Sequence, residues 1–139
     1  MLDSTQVELK IGEVASLSGV SVKTVRYYEE IGLLSPVVER SQSGYRLFNS
    51  QVLKRLAFIK RSQSLGLRLE EIQDILKVYD QGLLPCPEVK QHLESKVEDI
   101  SQKIAALSTL QSELQEILAH WQEQKDQDTV ISTVCPNIQ

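Results

Sequence analysis

Residues 24–34 read TVRYYEEIGLL, with Arg26 and the adjacent Tyr27 and Tyr28 set directly before two glutamates and a glycine. Taken alone, the stretch suits any amphipathic helix whose aromatics help to fill a core. What lies upstream narrows the reading. Ile11, Val14, Ala15 and Leu17 fall on one face of a short helix that Gly19 closes. Ser21 is then placed to cap a second helix, with Thr24 positioned to use it. That helix runs from about Val22 to Ile31, turning Val25, one of the two tyrosines and Ile31 inward, and Gly32 ends it. Two helices joined by SGVS, a short turn containing glycine, predict a helix-turn-helix.

Downstream the texture changes. Pro36 opens an extended segment, SQSG at 41–44 supplies a tight turn, and Tyr45, Leu47 and Phe48 resume an apolar pattern, which predicts a short hairpin, or wing. From Ser50 a third helix carries Val52, Leu53, Leu56, Phe58 and Ile59 inward and stops at Gly66. A fourth covers Leu69 to Tyr79, with Ile72, Ile75 and Leu76 buried, and ends near Gly82.

The strongest periodicity follows LLPCPEVK, where Pro87 suits a first helical turn and Cys86 its cap. Leu93, Ile100, Leu107, Leu114 and Trp121 recur every seven residues, interleaved with Val97, Ile104, Gln111 and Leu118. A narrow apolar stripe of this length calls for a partner helix, and a coiled coil between two copies of the chain answers it better than a helix folded back on its own small domain. Gln111, the polar member of the seam, would help to fix register. The tail after Gln124 loses periodicity, with Val130, Ile131 and Val134 as expected anchors and Cys135 near its end.

Composition limits the function classes. The chain has 139 residues and a formal net charge of -4, but the charge is unevenly spread. From Lys10 to Arg68 ten cations face four anions, whereas from Leu69 to Gln139 five face thirteen. A basic front is the footprint of a surface that meets phosphate. No apolar run reaches membrane-spanning length and MLDSTQVELK lacks a signal pattern, so a cytoplasmic protein is expected. Two cysteines do not make a disulfide scaffold. No nucleophile-base-orienter set or phosphate-cradling glycine loop stands out, and catalysis is not expected.

The ordered blocks IGEVASLSGVSVKTVRYYEEIGLL, SGYRLF and LAFIKRSQSLGLRLEEIQDIL, then a long helix opening at a cysteine, resemble the MerR family of bacterial transcriptional regulators over about residues 10–122. The resemblance implies a mainly α fold. A winged helix-turn-helix domain with a helical second wing would occupy 1–84, a dimerisation helix forming an antiparallel coiled coil 85–124, and an effector-binding tail 125–139. It implies operator DNA, a second copy of the chain and RNA polymerase as partners. Lys23, Thr24, Arg26, Tyr27 and Tyr28 would lie on or beside the helix that enters the major groove, with Tyr45 and Arg46 at the wing and Lys60 and Arg61 at a second wing. Adjacent tyrosines cannot share one helical direction, so one would face DNA while the other buttresses the wing. Glu29 and Glu30 fit DNA poorly and are expected in ion pairs or solvent.

Branches of the family differ in their C-terminal ends. The tail is too short for a drug-binding domain, and the four clustered cysteines of an iron-sulfur sensor are missing. Copper sensors carry two tail cysteines; mercury, zinc, cadmium and lead sensors place one at the head of the long helix and others in the tail. Cys86 and Cys135 match the latter pattern in part. Where such relatives have a further cysteine near the helix end, this chain reads LAHW, residues 118–121, which makes His120 the candidate third ligand. The implied effector is a soft divalent ion, with a reversible Cys86–Cys135 disulfide as the alternative signal.

Overall fold

The computed structural model describes residues 8–34, 38–40, 44, 46–123 and 133–138. Helix dominates them, in the order β1 (Glu8–Lys10), α1 (Ile11–Ser18), α2 (Val22–Glu30), β2 (Val38–Arg40), β3 (Arg46–Asn49), α3 (Val52–Ser64), α4 (Leu69–Asp80) and α5 (Cys86–Ala119). The expected Pro36 opening, most of the SQSG turn, Tyr45, Val130 and Ile131 lie outside the described residues. Two compact units emerge, Met1–Lys96 and Val97–Gln139. The first takes in the opening turns of α5 beyond the division at 84, because Val89 packs on the core and Lys96 pairs with Glu71.

Within the first unit, the sheet is antiparallel in the order β1-β3-β2. Leu9 and Val38 both register on Phe48, and Leu9 and Phe48 are buried. The two-stranded wing therefore has a third strand, β1, which leads straight into α1. Here Glu13 turns back to accept the Lys10 backbone N–H at 2.9 Å; Glu71 does the same for Arg68 at 2.8 Å at the start of α4. Each offsets an amide that a helix start would leave unpaired.

The α1–α2 turn follows its expected chemistry. Gly19 adopts the left-handed conformation, φ 74°, that closes α1, and the Ser21 hydroxyl accepts the Thr24 amide at 3.1 Å to cap α2. Val14, Val25, Val52, Leu56, Ile59, Ile72, Ile75 and Leu76 form the core with Leu33 and Leu34. Leu17 departs from expectation. It is 64% exposed, because the inward stripe of so short a helix is carried by Val14 with Ile11 packed beside it.

A charged group inside the core joins three elements. Arg55 of α3 is 6% exposed, forks onto Asp80 at 2.7 and 2.9 Å, and donates through Nε to the Leu33 carbonyl. Gln73 of α4 donates to the Ile31 carbonyl at 2.7 Å. Both side chains satisfy carbonyls just beyond α2, so the end of that helix is held from two sides.

α5 starts with Cys86 as its first helical residue and runs for 34 residues, none of them buried. It ends at Ala119, so Trp121, expected inside the heptad seam, lies beyond the helix in a last turn that its amide closes onto Leu118 at 3.2 Å. Among the described residues, no helix is long and apolar enough to cross a membrane.

Candidate functional site

The exposed face of α2 is built by helical spacing. Lys23, Arg26, Tyr27 and Glu30 stand at i, i+3, i+4 and i+7 and all face outward, while Val25 and Tyr28 face the core. The question of which tyrosine is free is settled by burial: Tyr27 is 49% exposed and Tyr28 only 7%. Tyr28 donates its hydroxyl to Gln63 of α3 at 2.8 Å, and burial raises its phenol above the ordinary value, so it remains a neutral donor. The rings stack at a tilt, centroids 6.2 Å apart, so the buried ring supports the exposed one. Tyr28 thus braces α2 against α3 rather than the wing. Thr24 is half-buried and engaged by Ser21 through both its amide and its hydroxyl.

Arg46, on β3, is partly buried and paired with Glu29 of α2. The pair ties the wing to the helix and explains why a carboxylate sits beside this basic surface; Glu30 is exposed. On α3, Lys60 and Arg61 are both exposed. The Lys60 ammonium reaches the α1–α2 turn, close enough that a Cβ on Gly19 would meet it at 3.4 Å. Arg61 sits within 3.4 Å of the Ser64 hydroxyl. Lys54, exposed on the same helix, adds a further cation that no local motif marks.

The effector candidates fall in two places. Cys86 is exposed at the first turn of α5. Within the second unit, Cys135 is half-buried in a tight turn whose Ile138 amide donates to the Cys135 carbonyl at 3.1 Å. His120, exposed at the end of α5, sets Nδ1 3.0 Å from the Glu116 carbonyl, which that nitrogen donates to. An open cleft of about 500 Å3 is lined by Glu116, Ile117, His120, Gln122, Pro136 and Asn137. Among the described residues, no group of three His, Cys, Asp or Glu side chains gathers to hold an ion. The tail returns to α5 through a polar contact: Asn137 accepts the Gln122 amide and donates to the Gln122 carbonyl, both at 2.9 Å. Val134, an expected anchor, is instead fully exposed.

The apolar stripe of α5 is open. Val97, Ile100, Ile104, Leu107, Leu114 and Leu118 are each at least half exposed, Trp121 is 41% exposed, and Leu93 is half-buried.

A family model described as "MerR HTH family regulatory protein" matches residues 9–78, and one described as "MerR, DNA binding" matches residues 53–117. This chain belongs to the MerR family. It is a DNA-binding transcriptional regulator rather than an enzyme. It is 39% identical over 120 residues to the mercuric resistance operon regulatory protein of Bacillus cereus, covering 86% of this chain and 90% of that one. Among solved structures it is similar to the transcription regulator PbrR691 from Ralstonia metallidurans CH34 in complex with lead(II). That match has a TM-score of 0.73 and 31% identity, covering 86% and 93% of the two chains. It is also similar to MerR from Bacillus megaterium MB1 in complex with mercury(II), with a TM-score of 0.59 and 38% identity, covering 85% and 90%. These MerR relatives share the winged helix-turn-helix and long-helix plan of this chain.

Proposed function

We propose that this MerR-family chain is a homodimeric sensor of a soft divalent metal ion, mercury, lead, cadmium or zinc, that switches a promoter by distorting its operator. Two copies pair their α5 stripes as an antiparallel coiled coil, each presenting one α2 to the major groove of an inverted repeat. Lys23, Arg26 and Tyr27 make the direct contacts, with Lys60 and Arg61 on the adjoining backbone. Thr24, Tyr28 and Arg46 act by holding α2 and the wing in place. A 34-residue helix is about 50 Å long, so antiparallel pairing brings the head of one to the end of the other. Cys86 of one protomer can then share an ion with the partner's Cys135.

The observation that carries the effector reading is this pair of free thiols, Cys86 exposed on the first turn of α5 and Cys135 in the turn tied to its far end. Two thiolates suffice for two-coordinate mercury; zinc, cadmium or lead would recruit further donors, for which the imidazole of His120 is suited. Bending or untwisting a DNA site costs of the order of 1–6 kcal/mol, so the ion must favour the distorting state by a comparable margin before RNA polymerase gains the promoter.

The test is promoter binding and transcription in vitro, under reducing conditions, for the wild type, Cys86→Ser and Cys135→Ser. Wild type should bind an inverted repeat with or without metal and activate only with metal; each serine variant should bind but not respond. Absence of any metal response in the wild type overturns the reading. The exposure of Cys86 also favours a second one, in which both thiols yield two electrons and two protons to a peroxide and close an intersubunit disulfide. A response in metal-free buffer that reductant abolishes would select it.

A further inference from the structure

The second unit holds a polar contact between the tail and the end of α5. The Asn137 side chain pairs with both backbone groups of Gln122, as a neighbouring strand would, three residues past the end of α5. Both bonds are 2.9 Å, and together they tie the compact turn Thr133–Ile138 to the helix end. Within that turn the Cys135 carbonyl accepts the Ile138 amide, and the Thr133 hydroxyl lies 3.4 Å from the same carbonyl. The residue two positions before Asn137 therefore has its backbone fixed by the turn, and the turn has its place fixed by Asn137. Asn137 also walls the cleft on which His120 stands.

We propose that Asn137 is the positioning residue of the effector site, a clip that holds the Cys135 thiol at the end of α5 before any ion arrives. Ordering a loop costs free energy, and a site whose loop is already tied down loses less of it on binding. An apolar or smaller residue at 137 would remove both bonds to Gln122 and loosen the turn. The clip rests on the metal-sensing reading for its purpose, but its existence can be read without metal.

In a Cys86→Ser background, where Cys135 is the remaining thiol, iodoacetamide should label Cys135 several-fold faster once Asn137→Ala is added. In the otherwise unaltered dimer, Asn137→Ala should weaken cadmium binding about 10-fold, followed by the sulfur-to-cadmium absorption band against a competing chelator. Metal-free DNA affinity and the melting temperature of the first unit should stay unchanged, which a general loss of structure would not allow. Asn137→Gln, which keeps the amide on a longer arm, should recover part of the cadmium affinity. Equal labelling rates overturn the clip, and faster labelling with undiminished cadmium affinity overturns its role at the site. A wild-type chain that binds no cadmium sinks the metal reading and with it the purpose assigned to Asn137.

Discussion

Glu71 draws several partners onto one carboxylate. It accepts the Arg68 amide at 2.8 Å, takes Lys96 Nζ at 3.1 Å, and has His92 Nδ1 at 3.5 Å, so the start of α4 and the opening turns of α5 share it. The Arg68 amide, outweighing the cost of burial and helped by Lys96, lowers its pKa from 4.5 to about 2. A carboxyl that titrates lower in the fold than in the unfolded chain adds stability above its unfolded pKa and surrenders it as pH falls. Glu71→Gln should therefore melt below the wild type at pH 7, and the gap should close between about pH 4.5 and pH 2, read by circular dichroism at each pH. A gap independent of pH would assign the residue a packing role only. Single residues also show where sequence reading stops. That one tyrosine of the pair would be buried follows from helical geometry, but the partner of its hydroxyl, Gln63, stands 35 residues away. Arg55 read as one more cation of a basic segment, because nothing near it in the chain announces Asp80 and the Leu33 carbonyl.

Among the elements, α2 separates support from contact along its own length. Lys23→Ala and Arg26→Ala remove cations exposed on α2, so each should leave stability within about 0.5 kcal/mol of wild type. Each should also weaken DNA binding and lower the slope of log affinity against log salt by about one, measured by fluorescence anisotropy over a salt series. Tyr28→Ala should behave oppositely, costing about 3 kcal/mol or more of stability through the cavity it leaves. Unchanged salt slopes for both lysine and arginine variants would move the DNA surface elsewhere. The helices were legible because their caps and glycine stops are local: Ser21 with Thr24, Gly19, Gly66 and Gly82 all act within a turn of their own position. β1 was not, since three residues, ELK, carry too little alternation to register, and only pairing with β3 makes them a strand. The Asn137 clip escaped for the same reason. A polar residue in a tail has no periodicity, and its partner is the backbone of Gln122.

For the molecule as a whole, the proposed dimer rests on the stripe of α5. A row of half-exposed aliphatic side chains along a 34-residue helix is the kind of surface that a second copy covers. Leu107→Glu puts a charge mid-seam and should convert the dimer to a monomer by sedimentation, with the first unit still folded and operator affinity falling by 10-fold or more as the paired half-sites are lost. A variant that still sediments as a dimer would place the interface elsewhere. The uneven charge belongs at this scale too: cations gather in the part that carries α2 and α3, and acids in the part that follows, which keeps α5 and the tail from competing for phosphate.

The chain holds one tryptophan, and it stands just past the last turn of α5 with its indole partly open to solvent. If two copies pair along α5 as proposed, Trp121 is a built-in optical gauge of self-association. Emission from a concentrated sample should sit to the blue, shift red on dilution as the indole is wetted, and report the assembly constant without any attached dye.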